Sequence, residues 1–392
     1  MDSSITLPAK TGYNEHLEER WVGSRITEDY YGLPPVKHSH YRWTAGSSFY
    51  LAGIAGTGQI LTTLMDFFGN ENERRVVETG RYVVPLTAAA AALLYIKDLG
   101  TPQRWFNMLR IFRPTSFMSI GSWSLTALGA QSGITDFFQL MEGAGHKTRI
   151  AGRLASLPAL IPAALVSFYM GTELEETSTP FWAASTPVFP SLFVATNAAN
   201  SLSVFELVSA LRDTGEDSRL RLGTLNLLAG TAELFLLKSV ENKWLDTKGN
   251  DALYDTHRTL LSRTGLISLA KITGMLLRSL SLYRRSRSLS SIASLVTLTA
   301  GFFLPNVLLL AGNRSADRPA DYFSQTVNPD PLSLISGQPK KRKLRPNRAR
   351  RRKSLVRWIG LGIGLAATAG LAYLALAKPR NGREIALPEQ LK

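Results

Sequence analysis

Apolar residues in this chain are gathered into blocks of roughly 20, separated by short polar connections, and each block is long enough to cross a bilayer as a helix. Nothing else in the sequence limits the fold so strongly. Inside hydrocarbon every backbone N–H and C=O must be satisfied within the protein, which leaves helices and closed barrels. The blocks run Trp43–Phe68, Arg81–Ile96, Thr115–Met141, Ile150–Thr172, Thr186–Leu211, Leu220–Val240, Thr264–Leu282 and Leu289–Ala311, with a ninth at Leu355–Ala377. The fold class expected is therefore all-α, a polytopic membrane protein. Its length of 392 residues would otherwise suggest two or three soluble domains. Residues 1–40 form a polar arm carrying both charge signs, and no signal peptide is evident in it. The arm ends in YYGLPPVKHSHYRW, an extended strap followed by residues suited to a membrane boundary, because X-Pro steps disfavour helix and aromatics anchor at interfaces.

The net charge of +15 has a particular source. About ten basic residues lie in the run Lys340–Lys353, directly before the ninth block, where a cytoplasmic juxtamembrane segment is drawn to anionic lipid. No aromatic residue interleaves the run to stack bases, so nucleic acid is not the expected partner. The chain has no cysteine, which excludes disulfides, thiolate zinc sites and cysteine-ligated iron–sulfur clusters within it. Its histidines, His16, His38, His40, His146 and His257, all fall outside the spans, so paired haem ligation between helices has no ligands. His38 and His40 alone are too few for a metal site of ordinary type.

The connection after the second span, DLGTPQRWFNMLRIFRPTSFMSIGSW (Asp98–Trp123), is the most informative stretch. Thr101 and Pro102 can start a short helix, and Pro114 ends it before Thr115 or Ser116 caps the next. Helical spacing gathers Trp105, Met108, Leu109 and Phe112 on one face and Gln103, Arg104, Asn107 and Arg110 on the other, a basic amphipathic helix lying in the interface. The same stretch resembles the signature of the NrfD/PsrC family, integral-membrane subunits of molybdopterin oxidoreductase complexes such as polysulfide reductase. Further agreements are YYGxP in the arm, Thr177, Pro180 and Trp182 after span four, and AGNRSADRPADYF after span eight, read as a closing loop. One departure is Pro305-Asn306, where the resemblance leads one to expect an arginine.

The resemblance implies an eight-helix core of two four-helix bundles over residues 41–325, to which the basic linker (326–354, expected to be disordered), the extra helix (355–377) and a polar tail (378–392) are additions. It also implies a quinone or quinol pocket (menaquinone or ubiquinone) in the first bundle, beside a ferredoxin-like iron–sulfur subunit, with the molybdopterin catalytic subunit beyond. The chain would then be a membrane anchor that passes electrons between the quinone pool and that partner in the inner (cytoplasmic) membrane. Candidate quinone-site residues share one membrane face: Tyr41, Trp43, Asp98, Arg104, Asn107, Arg110, Glu173 and Glu176. An ordinary structural network is the competing account of these charges. A secondary transporter is the alternative function, with Glu233 and Lys271 as its coupling pair; an ion pair joining spans six and seven is the simpler reading of the same two residues.

Orientation is read two ways. Loops after spans one, three, five and seven carry Arg74, Arg75, Lys147, Arg149, Arg212, Arg219, Arg221, Arg284, Arg285 and Arg287, a cytoplasmic mark. The denser Lys340–Lys353 run lies on the opposite face with the signature, and preferring it puts the signature face inside. A C-terminal reporter then appears outside, with alkaline phosphatase active and green fluorescent protein dark. The reverse pattern in that fusion assay would refute this orientation. Deletion after Asp330 should leave the eight-helix core able to assemble, as judged by size-exclusion chromatography in detergent.

Overall fold

The computed structural model describes residues 36–69, 73–183, 188–212, 214–245 and 251–317, without the side chains of 241–264. The arm before residue 36, the linker, the Lys340–Lys353 run and the helix expected at Leu355–Ala377 lie outside the described residues. Helix α1 spans Trp43–Phe68 and α2 Arg74–Asp98, followed by a 3-10 turn at Pro102–Leu109. Next come α3 (Phe117–Gly143), α4 (Arg149–Ser156), α5 (Leu160–Glu175) and a one-turn α6 (Pro180–Ala183). The second half holds α7 (Phe189–Arg212), α8 (Glu216–Leu245), α9 (Asp251–Arg284) and α10 (Arg287–Ala316).

Helices α1 to α5 pack as one group, with α1 against α2 and α5 and α3 against α2, α4 and α5. Helices α7 to α10 pack as a second, and α7 and α10 join it to α1. Among the described residues, α2, the Glu216–Val240 part of α8, the Gly265–Arg284 part of α9, and α10 are long and apolar enough to cross a membrane. A fifth such unit is the pair α4–α5, bent by 44°. Pro158 sits at that break and cannot supply the N–H an unbroken helix would use. The α1, α3 and α7 helices are as long but richer in Gly, Ser, Thr and Asn.

Several boundaries differ from expectation. The second span begins at Arg74 rather than Arg81, so Arg81 lies about two turns inside the helix. The eighth continues to Ala316, so Gly312, Asn313, Arg314 and Ser315 are helical rather than part of a closing loop. The amphipathic helix of the signature is a 3-10 turn, with Arg104 at φ −99°, ψ 16°. Thr101 makes no side-chain cap there, whereas Ser116 does cap α3 through the Ser119 N–H. With three residues per turn, Arg104, Asn107 and Arg110 still align, but Gln103 leaves their row.

The burial pattern is inverted relative to a protein folded in water. Ser47, Ser48, Thr57, Asn200, Ser201, Asn226 and Ser294 are buried, while Leu86, Leu93, Phe137, Ile161, Phe235, Leu269 and Phe303 are exposed. Lipid is as apolar as leucine, so helix association relies on close packing and interior polar contacts instead. Three asparagine–glycine contacts show how. Asn306 of α10 lies on Gly46 of α1, Asn197 of α7 on Gly53 of α1, and Asn200 of α7 on Gly301 of α10; a Cβ at any of these glycines would overlap the amide. The first two form the seam where the two groups meet, and the third joins α7 to α10 within the second group. The last turns of α10 close one end of the molecule: Asn313 accepts hydrogen bonds from the Ser39 N–H and hydroxyl, Asp317 bonds His38, and Ser315 accepts the Phe181 N–H.

Gly53→Ala should lower thermal stability by about 1–3 kcal/mol through overpacking. Adding Asn197→Ala should recover part of that loss, since it removes the clashing amide. Simple additivity of the two changes in a detergent unfolding assay would contradict the seam.

Candidate functional site

Glu173, in the last turn of α5, is the buried centre of a cluster at the signature end. The Tyr41 hydroxyl donates to its Oε1 at 2.7 Å. The Tyr169 hydroxyl, one turn earlier on α5, lies close enough to sense the Glu173 charge. Its placement satisfies no well-directed hydrogen bond, and both Tyr169 Oη and Glu173 Oε2 are buried without a partner. The signature supplies the space for this ring, because a Cβ on Gly121 would overlap the Tyr169 phenol. Phe49 bridges the two tyrosines, edge-on to Tyr41 at 5.9 Å and tilted to Tyr169 at 6.2 Å.

Asp98 ends α2 beside this cluster and accepts a hydrogen bond from the Thr44 hydroxyl. Its charge adds to the negative field at Tyr41. Burial first, and then the Glu173 charge, push the Tyr41 phenol far above its ordinary value, so it stays protonated and donates throughout the physiological range. Trp43 is largely exposed, with the Lys97 ammonium 5.9 Å from its ring.

Of the sequence candidates, Tyr41, Asp98 and Glu173 are thus brought together, and Glu176 caps the end of the same helix half-buried. Arg104, Asn107 and Arg110 are exposed on the 3-10 turn and stand apart from the carboxylates. The turn itself is pinned by the signature's serines. Ser119 accepts the Arg113 N–H and donates to the Ile111 carbonyl, and Phe112 stacks edge-on with Trp123 at 6.2 Å. Trp182 is buried, its indole donating to the Leu308 carbonyl at 2.9 Å, so the Thr–Pro–Trp motif is a packing plug. Asn306, at the position of the expected arginine, bonds the Phe302 carbonyl and leaves its Oδ1 unpartnered.

Sequence reasoning missed Tyr95 and Tyr169, which lie within spans and look like lipid-facing aromatics until the helices are packed. It also missed two charge networks. At the opposite end from the signature, Asp66 of α1 pairs with Arg81 of α2 at 2.6 Å and Arg153 of α4 at 3.0 Å, and Gln139 of α3 accepts from Arg81 at 2.6 Å. In the second group, Arg278 pairs with Glu206 at 3.0 Å, both fully buried. The spacing of Lys271 and Arg278, i and i+7 on one face of α9, was an available signal. The expected pair does form: Lys271 Nζ lies 2.9 Å from Glu233 Oε1.

Residues 37–314 match the family described as polysulphide reductase, NrfD. No curated protein matches the chain in sequence. The match takes in the signature, the Glu173 cluster and both helix groups, and it agrees with helices suited to crossing a membrane more than once. The chain belongs to the polysulphide reductase NrfD family, the multi-pass membrane subunits of molybdopterin oxidoreductase complexes.

Proposed function

We propose that this chain is the quinone-interacting anchor of such a complex, exchanging electrons with an iron–sulfur partner at the signature face in the cytoplasmic membrane. The observation that carries the reading is the neighbouring pair Glu173 and Tyr169, set among aromatic rings, whose buried Oε2 and Oη make no well-directed hydrogen bond. Unpaired buried polar atoms are costly, and a ligand that bonds them removes that cost. A quinone fits this donor set, having two polar oxygens at the edge of an apolar ring.

A bound quinone supplies a two-electron, two-proton couple. Tyr41 holds Glu173 Oε1, and Oε2, beside the Tyr169 hydroxyl, is the oxygen left to exchange a proton. Tyr169 Oη offers a donor to a carbonyl oxygen beside it. Asp98, anchored by Thr44, fixes the junction between α2 and the signature turn. Arg104, Asn107 and Arg110 form an exposed polar row suited to docking an acidic patch of the iron–sulfur subunit rather than to the ring itself. Following the dense basic run, this face is assigned to the cytoplasm.

Glu173→Gln should leave assembly intact and lower quinone turnover by about 10²- to 10⁴-fold, the usual loss when a positioned acid–base group is removed. Tyr41→Phe should have a smaller effect, because Oε1 loses its donor but the carboxylate remains. Arg104→Ala should release the partner subunit, and Lys at the same position should restore it only in part, lacking the planar fork. Turnover by the purified complex and co-purification of the partner are the two measurements. Wild-type values in the Glu173→Gln and Arg104→Ala variants would refute the respective roles.

A further inference from the structure

The second helix group contains polar side chains that the signature face does not explain, and they lie in two layers. Thr196, Glu233 and Lys271 form one: the Thr196 hydroxyl donates to Glu233 Oε1 at 2.8 Å, and Lys271 lies against the same oxygen. Seven residues along each helix, Ser203, Asn226 and Arg278 form the other. Asn226 donates to Ser203 at 2.9 Å, Arg278 grips Glu206 through Nε and Nη2, and Ser294 donates to Glu206 at 2.6 Å. Seven residues is about 10 Å of helix, so the layers are two turns apart and in register on α7, α8 and α9.

Between them on α7 sits Asn200, fully buried, with neither amide atom partnered. Glu233 Oε2 is also unpartnered, and the Lys271 ammonium has no well-directed hydrogen bond despite its ion-pair distance. These are four buried polar atoms in one strip of the bundle interior. Sites of that kind hold ordered water, which needs two to four polar partners.

The strip is open at one end. Arg278 lines a cleft with Glu216, Arg219, Ser281, Arg285 and Ser290, at the α9–α10 turn on the face opposite the signature. Toward the signature, the buried side chains described in the next turns include an apolar cluster: Phe189 and Leu192 on α7, Leu237 and Val240 on α8, Ile267 on α9 and Leu304 on α10. The charged groups along the strip are Glu233 and Lys271 at its end, Glu206 and Arg278 in its middle, and Glu216, Arg219 and Arg285 at its mouth. From α10, among the described residues, it receives the hydroxyls of Ser290, Ser294 and Thr297.

We propose that this strip is a one-sided water path, by which the buried Glu233–Lys271 pair exchanges protons with the compartment opposite the signature face. The water bonds Asn200, Glu233 Oε2 and Lys271 Nζ, and the apolar cluster seals it from the other side. No covalent step is involved; a proton taken up from water at one position is returned to water at the next. This assignment is independent of the quinone reading, which concerns the other end of the molecule and the other helix group.

The test uses the full chain in lipid nanodiscs, mixed with heavy-oxygen water immediately before an X-ray pulse that oxidises side chains next to water. Lys271 should acquire heavy oxygen although only 3% of it is exposed, and Val240 should not. Because the chain contains no cysteine, Ser290→Cys gives a single thiol at the mouth. Its modification should lower heavy-oxygen incorporation at Lys271 several-fold, and the unmodified variant should behave as wild type. Ser281→Cys serves as the second thiol position if Ser290→Cys disturbs the fold. An unlabelled Lys271, labelling indifferent to the blocked mouth, or equal labelling of Val240 would each overturn the proposal.

Discussion

A helix in hydrocarbon cannot turn its polar side chains to water, so they must face one another. That constraint explains why Ser, Thr, Asn and paired charges fill the interior here while Leu and Phe cover the outside. It also explains the form the polar contacts take. Removing one partner of a buried ion pair leaves an uncompensated charge, so Asp66, Arg81 and Arg153 persist as a unit, as do Glu206 and Arg278. The first unit ties three helices of one group at the end away from the signature, and the second ties α7 to α9 in the other. Both leave the signature end free for an aromatic and carboxylate cluster that is incompletely satisfied.

Within the signature, two kinds of residue divide the work. Gly121, Ser116, Ser119 and Trp123 shape the polypeptide: one makes room for Tyr169, one caps α3, and the others pin the turn. Arg104, Asn107 and Arg110 are displayed on the surface of that shape. A single run of residues can therefore serve packing and recognition at once, and only the geometry distinguishes the two.

Fold class was legible because bilayer thickness fixes helix length, and the blocks were visible without any alignment. Helix ends were less so. The apolar block starts at Arg81, yet the helix starts at Arg74, because Asp66 supplies the counter-charge of Arg81 inside the protein. The 3-10 form of Pro102–Leu109 is not legible in the sequence because Arg104, Asn107 and Arg110 are spaced at three residues, a spacing that also fits one face of an α-helix. Tyr41, Asp98 and Glu173 could be assigned to one face by counting spans. Tyr95 and Tyr169 could not, since nothing local separates an aromatic facing lipid from one facing a carboxylate. The same holds for the asparagines, whose glycine partners are more than a hundred residues away in every case.

The last turns of α10 carry a consequence for biogenesis. Ser39 is held by Asn313, His38 by Asp317, and the one-turn α6 by Ser315. Synthesis is vectorial, so the strap that delivers Tyr41 to Glu173 emerges before α1 and the residues that fasten it emerge only with the last turns of α10. Until the eighth long helical unit has left the ribosome and inserted, the aromatic cluster has a lid without a latch. A nascent chain stalled before Asn313 would thus contain every residue of the Glu173 cluster and still lack the means to close it, which couples maturation of this end to completion of the whole membrane domain.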